Sequence, residues 1–424
     1  MDNKFNRYII FWLSQTLSQL GSSMTGFALI LWVYMQTKSA MTVSLMSFFN
    51  YVPYIIVSLI AGAFVDKHSK KAIMLVSDSV AAVCSVLVLV LSIGSSLRIW
   101  HIYFVNCMIG FMNAFQGPAS AVAIGKIIPK ERLEQVSGLN SFSSNLVAVL
   151  SPILAAALFG FGNLWLILAI DLCTFVFAFL ILLFVLQIPE NISENNEKES
   201  VLKGSMAGFQ YLKDRRAILM TLVTLALLNF FSRLTYENIL SPMILARSGN
   251  DSVILGIVNA AIGVGGIVGG VMVSTGKIKG NSARMIYLSA MFSFLLGDIT
   301  MAVGQNVLLW SFAGLAASLP IPFITAGSSV ILYRYVPEEM QGRIFAVRNA
   351  IQFSTIPIGI LLGGFLADYV FEPFMMKQNM ITHVLKMVVG TGDGSGMAVM
   401  FLCTGILGSI FSLLCYCRKD IREL

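Results

Sequence analysis

Charge is what this sequence has least of. Asp, Glu, Lys and Arg make up 12% of its 424 residues, where a water-soluble domain carries about 25%. Apolar residues fill 57% and mean hydropathy is +0.82, which excludes a soluble globular domain and implies a chain that lives in lipid. Histidine is almost missing. The three present, His68, His101 and His383, fall in loops or at helix ends, so proton chemistry inside the membrane would rest on carboxylates rather than on a histidine relay. The six cysteines, Cys84, Cys107, Cys173, Cys403, Cys415 and Cys417, sit inside apolar stretches without zinc spacing or a disulfide framework. No metal and no cofactor are expected.

Phosphate-binding loops are lacking as well. GVMVSTGKI, from Gly270, has one residue too many between its glycines and Ile278 where a Ser or Thr is required. The run VGTGDGSG, residues 389–396, follows no strand and reads as a turn. The segment before it, with Met380, Ile381, Val384, Leu385 and Val388, reads as a short helix at the membrane surface. An enzyme is not expected. A cleavable leader is not expected either, because the first apolar segment has full membrane length and no small-residue cleavage site.

What is present is long apolar runs. Twelve are long enough to cross a hydrocarbon layer of about 30 Å: 8–36, 41–65, 72–95, 99–124, 134–160, 163–187, 217–246, 252–275, 283–304, 306–334, 341–370 and 396–417. Their length and Leu, Ile, Met and Ala content predict helices rather than the short alternating strands of an outer-membrane barrel. Of the 28 basic residues, 22 fall on one side of the implied membrane, with Lys38, Arg98, Arg247, Lys377 and Lys386 on the other and Arg233 inside a span. Basic residues stay inside, so both termini are expected in the cytoplasm. The net charge of +7 belongs to this bias, and nucleic acid is not expected as a partner.

The one long hydrophilic interruption, residues 188–216, predicts two six-helix bundles, 1–187 and 217–424, joined by a cytoplasmic linker. Leu202, Met206, Phe209 and Lys213 share a helical face there, so part of the linker is either a surface helix or a solvated connection. An internal repeat agrees with the division. Gly62 and Gly270 precede basic loops 208 residues apart, and Pro129 and Pro337 repeat the same offset.

The stretch GAFVDKHSKK, residues 62–71, concentrates ionisable groups in a loop between two spans. Gly62 permits close approach of another helix. Asp66 could accept from the free N–H groups at a neighbouring helix start, a contact worth about 0.3–1 kcal/mol. Lys67, Lys70 and Lys71 suit the anionic inner leaflet, although as topology signals alone they would look the same.

These residues resemble the loop signature of the major facilitator superfamily, Gly-x-x-x-Asp-Arg/Lys-x-Gly-Arg/Lys-Arg/Lys, with Ser69 where the second Gly is usual. FQGPASAV (115–122), IIPKERLEQVSGLNS (127–141), SPILAAALFG (151–160), VPEEMQGRIFAVRN (336–349) and GGFLADYVFEPFM (363–375) look like the macrolide-efflux branch of its drug exporters. The resemblance implies an all-α fold of twelve transmembrane helices as two six-helix pseudo-repeats, and a monomeric exporter of a hydrophobic small molecule, driven by protons, in the inner membrane of a bacterium. It also implies a conformational latch in which Asp66 works near Gln341 to Arg343, with Asp78 and Arg348 in the same network. Two departures stand out: Ser274 replaces the acid of the second-half loop, and the fourth span lacks an internal Arg.

Depth in the membrane selects candidate cavity residues. Gln19, Asn50, Asn145, Asn229, Asn259 and Gln352 fall near mid-membrane, with Gln15, Asn113 and Gln116 nearer the cytoplasm. The resemblance implies that spans 1, 2, 5, 7, 8 and 11 line a cavity, where amides could bond a neutral or amphiphilic substrate; bonds between helices are the other use of such amides. Charges inside spans are costlier, at about 2.5–3.5 kcal/mol each. Arg233 and Glu237 are one helical turn apart and can neutralise each other. Glu237 is the first expectation for a proton acceptor tuned by Arg233, with a static pair bracing the outer side as the alternative. For Asp171 and Asp298 packing is expected first and proton coupling second. The expected function is proton-coupled export of macrolide-type or similar compounds, with a siderophore or other metabolite, or a non-transporting receptor on the same fold, as alternatives.

Overall fold

The computed structural model describes residues 3–127, 133–185, 209–275 and 281–422, and among these the secondary structure is helical. The membrane segments are α1 (Asn3–Thr37), α2 (Ala40–Lys67), α3 (Lys70–Ile93), α4 (Ile99–Ile127), α5 (Gly138–Phe161), α6 (Leu164–Phe184), α7 (Arg216–Arg247), α8 (Ser252–Ser274), α9 (Ser282–Val303), α10 (Val307–Tyr335), α11 (Val347–Met376) and α12 (Ser395–Cys417). Eleven of them are long and apolar enough to cross a membrane. The exception is α1, whose 35 residues are ample in length but include Ser14, Gln15, Thr16, Ser18, Gln19, Ser22, Ser23 and Thr25. Helix α5 runs into α6 within one helical stretch, Leu133–Phe184.

Two compact units emerge. The first takes Met1–Thr37 and Leu45–Glu197, the second Lys38–Ser44 and Lys198–Leu424. In the first unit α1 packs on the α5–α6 stretch, and α3 on α4 and α5–α6. A core of Tyr8, Phe11, Val65, Ile73, Met74, Ala119, Ala123, Val136 and Leu182 lies at one end. Lys71 donates to the carbonyl of Leu183 at 2.8 Å, where a helix end leaves carbonyls without partners. At Gly110 a side chain would run into the Asn50 backbone, so α2 and α4 meet backbone to backbone.

In the second unit α8 packs on α10, α7 on α11, and α9 on both α10 and α12. Side chains at Gly265 and Gly269 would strike the backbone of Leu315 and Leu319, so this glycine pair makes the α8–α10 seam. The end of the hydrophilic connection, from Phe209, is helical. Of the face expected there, Leu202 and Met206 lie outside the described residues and Phe209 and Lys213 are exposed, while Leu212 is buried with Ile218, Leu222, Leu332 and Val336, and Arg215 donates to the Tyr335 carbonyl at 2.9 Å. At the opposite end Arg247 gathers the carbonyls of Ala302, Gly304 and Val389. The short helix Met380–Val389 presents Met380, Ile381 and Met387 outward, as a helix resting in a membrane interface would.

Three irregularities interrupt the second unit. Helix α7 loses regular winding over residues 236–239, where Pro242 has no N–H to give and its ring conflicts with the carbonyl of residue 238. Helix α9 widens into a π-turn over Ser293–Asp298, and α11 does so over Ala367–Phe371.

Candidate functional site

Each unit holds a cavity of ligand-binding size. That of the first unit has a volume of about 580 Å³ and is lined by α1, α2, α3, α4, the α5–α6 stretch and their polar side chains. Gln15, Gln19, Asn50, Asn113, Gln116, Asp78 and Asp171 all reach it. Most of the polar groups on α1 face this space or its rim, which accounts for that helix's low hydropathy. Asn50 donates to the Asn106 carbonyl at 3.3 Å, and Gln116 donates to the Asp78 carboxylate at 2.5 Å. The Gln15 amide and the Trp12 indole N–H are buried donors without an acceptor.

Asp171, 3% exposed, is held by three hydroxyls. Ser22 donates to one carboxylate oxygen at 3.0 Å, and Thr25 and Ser85 donate to the other at 3.0 and 3.2 Å. Gly21 makes this possible: a side chain there would strike Thr174 and the Asp171 backbone, so α1 can lie directly on α6.

The cavity of the second unit has a volume of about 410 Å³ and is lined by α7, α8, α9, α10 and α11. Arg233 and Glu237 line it as an ion pair, with Arg233 also donating to Asn229 at 3.2 Å. Gln352 and Arg348 enter from α11. Asp298 enters from the π-turn of α9 and is 1% exposed. Its Oδ2 accepts from Thr404 at 2.7 Å, and its Oδ1 has no partner. Tyr236 comes from the unwound turn of α7, and its hydroxyl lies beside Asp298 as a side-chain hydrogen-bonding neighbour, outside the close geometry of a fully formed bond.

Two expected amides stand apart. Asn145 lines an open groove with Asn140, Ser141 and Ser144, and Asn259 turns back to the Leu255 carbonyl of its own helix at 2.9 Å. Of the loop residues, Lys70 is buried, whereas the side chains of Gly62, Asp66, Lys67 and Arg343 lie outside the described residues. Tyr236, Thr404, Ser22, Thr25 and Ser85 were not singled out by the sequence reading. A hydroxyl on an apolar helix has many uses, and nothing in its local pattern names an acceptor one hundred residues away.

A second carboxylate network lies on the other side of α11. Asp368, in the π-turn, accepts from the Ser39 hydroxyl at 2.6 Å and from the backbone N–H groups of Ala40 and Met41 at 3.0 and 2.9 Å. Asn238 donates to Ser44 and to the Ile360 carbonyl at 2.6 and 2.9 Å. Residues 38–44 are thereby built into the second unit.

The family model described as Major Facilitator Superfamily matches residues 11–282. Macrolide efflux protein A of Streptococcus pyogenes is 23% identical over 99% of this chain and 97% of its own. The multidrug efflux pump Tap of Mycolicibacterium fortuitum is 23% identical over 80% of this chain and 83% of its own. Among solved structures, a bacterial homologue of the human lysosomal transporter Spinster superposes with a TM-score of 0.72 at 10% identity, covering 98% of this chain and 97% of that one.

Proposed function

The chain belongs to the major facilitator superfamily of secondary transporters, and from that membership we propose that it exports hydrophobic or amphiphilic compounds, macrolide-type antibiotics foremost, in exchange for protons. The observation that carries this reading is the end-to-end similarity to macrolide efflux protein A, which spans both six-helix halves. The first-unit cavity agrees with it. Unpartnered donors at Gln15 and Trp12, set among amides and apolar side chains, suit an uncharged ligand rich in ether and carbonyl oxygens. The second-unit cavity supplies the other requirement of antiport, carboxylates inside the membrane. The cytoplasmic loop with Gly62, Asp66, Lys67, Lys70 and Lys71, together with Arg343, would act as the latch between end states of the transport cycle. The site of action would be the plasma membrane of a bacterium.

The test is accumulation of radiolabelled erythromycin in a pump-deficient bacterial host, with and without this protein. Lower accumulation that a protonophore abolishes is the expected result. Unchanged accumulation, with the protein demonstrated in the membrane, would overturn the macrolide reading and turn the search to siderophores and other oxygen-rich metabolites.

A further inference from the structure

We infer that Asp298, through the free oxygen it presents beside Tyr236, is the proton-binding carboxyl of the second unit, and that Glu237 is its fixed, ion-paired neighbour. This rests on the antiport reading given above but concerns a proton site that can be measured without any transported substrate.

The argument starts from the way the site is built. A π-turn winds one extra residue into a helix, which offsets the following residues by about 100° around the axis relative to a regular α-helix. In α9 that extra winding ends on Asp298. Glycines hold the carboxyl in place from both sides: a side chain at Gly297 would strike Ala317, and one at Gly405 would strike Asp298 and Ile299. Opposite stands Tyr236, at the first residue of the unwound turn in α7, its ring braced edge-on by Phe401 at 5.3 Å between centroids. Two departures from regular helix thus converge on one cavity, and such departures cluster at functional sites.

The hydrogen-bond inventory separates the two carboxylates of this cavity. Glu237 is engaged by Arg233, and Arg233 is steadied in turn by Asn229. Asp298 has one oxygen taken by Thr404 and the other without a closely formed bond, with the Tyr236 hydroxyl as the carboxyl's neighbour. A buried carboxylate oxygen without a donor is unfavourable, and a proton placed on Oδ1 would find an acceptor in the Tyr236 hydroxyl. When the proton leaves, the same hydroxyl can turn and donate to the carboxylate. Tyr236 is therefore a partner in both states, which a static brace does not need.

The groups facing Asp298 are few. Helix α7 contributes Tyr236, Arg233 and Glu237, and α11 contributes Arg348. The stretch of α10 packed on the π-turn, Val307–Ser318, has no ionisable residue. Helix α12 has only Cys403, Cys415, Tyr416 and Cys417 besides Thr404.

The experiment is infrared difference spectroscopy of the purified full chain between high and low pH, reading the carbonyl stretch of a protonated carboxylic acid. Wild type, Asp298→Asn, Glu237→Gln and Tyr236→Phe would be compared after size exclusion shows each to be monodisperse. A pH-dependent acid band that is missing in Asp298→Asn and retained in Glu237→Gln is the expected result. In Tyr236→Phe the band should persist with its midpoint moved by about one pH unit, a tenfold change in proton affinity. A band that survives in Asp298→Asn, or disappears in Glu237→Gln, overturns the assignment. Should Asp298→Asn not fold, the Tyr236→Phe midpoint decides alone, and an unmoved midpoint overturns it. Because no drug enters the measurement, a failed erythromycin assay leaves this result standing, and the reverse also holds.

Discussion

Asp171 and Asp298 have the same charge and almost the same near-zero exposure, yet their oxygens are used differently. Three hydroxyls satisfy Asp171 on both oxygens, and Gly21 lets α1 close over it. That is the arrangement of a brace. Asp171→Ala would leave three hydroxyls, that of Thr25 buried, to find new acceptors and would remove hydrogen bonds to a charged group, each worth about 1.5–3 kcal/mol. Thermal unfolding in detergent should therefore occur several degrees lower, at a loss of about 2–3 kcal/mol, while drug export by the folded fraction is retained. Export lost at unchanged stability would reassign Asp171 to the transport cycle. The acids inside spans were legible in the sequence because charge is scarce there, but the different partnering of their oxygens was not. That difference depends on partners such as Thr404, which stands 106 residues from Asp298 and looks locally like any other helical threonine.

Helix irregularity is the feature that two carboxylates of the second unit share. Asp298 and Asp368 each lie in a π-turn, and Tyr236 opens the break in α7. Pro242 announces the break in the sequence, whereas no residue type announces a π-turn, so neither π-turn could be anticipated. Asp368 has a mechanical task that follows from its three donors: it caps the start of α2, where backbone N–H groups lack acceptors within the helix. A capping carboxylate is worth about 0.5–2 kcal/mol. Asp368→Ala should accordingly raise hydrogen–deuterium exchange of the Ala40 and Met41 amides by about two- to thirtyfold, 1.4 kcal/mol being a factor of ten. Ser39→Ala removes the hydroxyl's bond to Asp368 and its acceptance from the Thr42 N–H but leaves the carboxylate on the Ala40 and Met41 amides, so it should raise their exchange less. Equal exchange in Asp368→Ala and wild type would mean that these amides are protected by something other than the cap.

At the scale of the whole chain, the sequence was most informative about what lipid demands. Apolar runs of membrane length could be counted because hydrocarbon tolerates little else. A two-unit division was expected from the one long polar connection and the 208-residue repeat, and in the structure Lys38–Ser44 belong to the second of two compact units. Convergence of side chains into two cavities was only partly visible. Helical spacing fixes depth along a helix but not which neighbour it faces, so Asn259 and Asn145 looked equivalent to Asn50 and Gln352. Orientation in the membrane is the remaining whole-chain property, and it rests on 22 basic residues against five. Of the five outer basic residues, Arg247 is bound to three carbonyls and is tied to structure rather than free to report a side. Without it the asymmetry is steeper still. Alkaline phosphatase folds only outside the cytoplasm, so its fusion after Gly390 should be active and its fusion after Leu424 inactive. The opposite pattern would invert the chain.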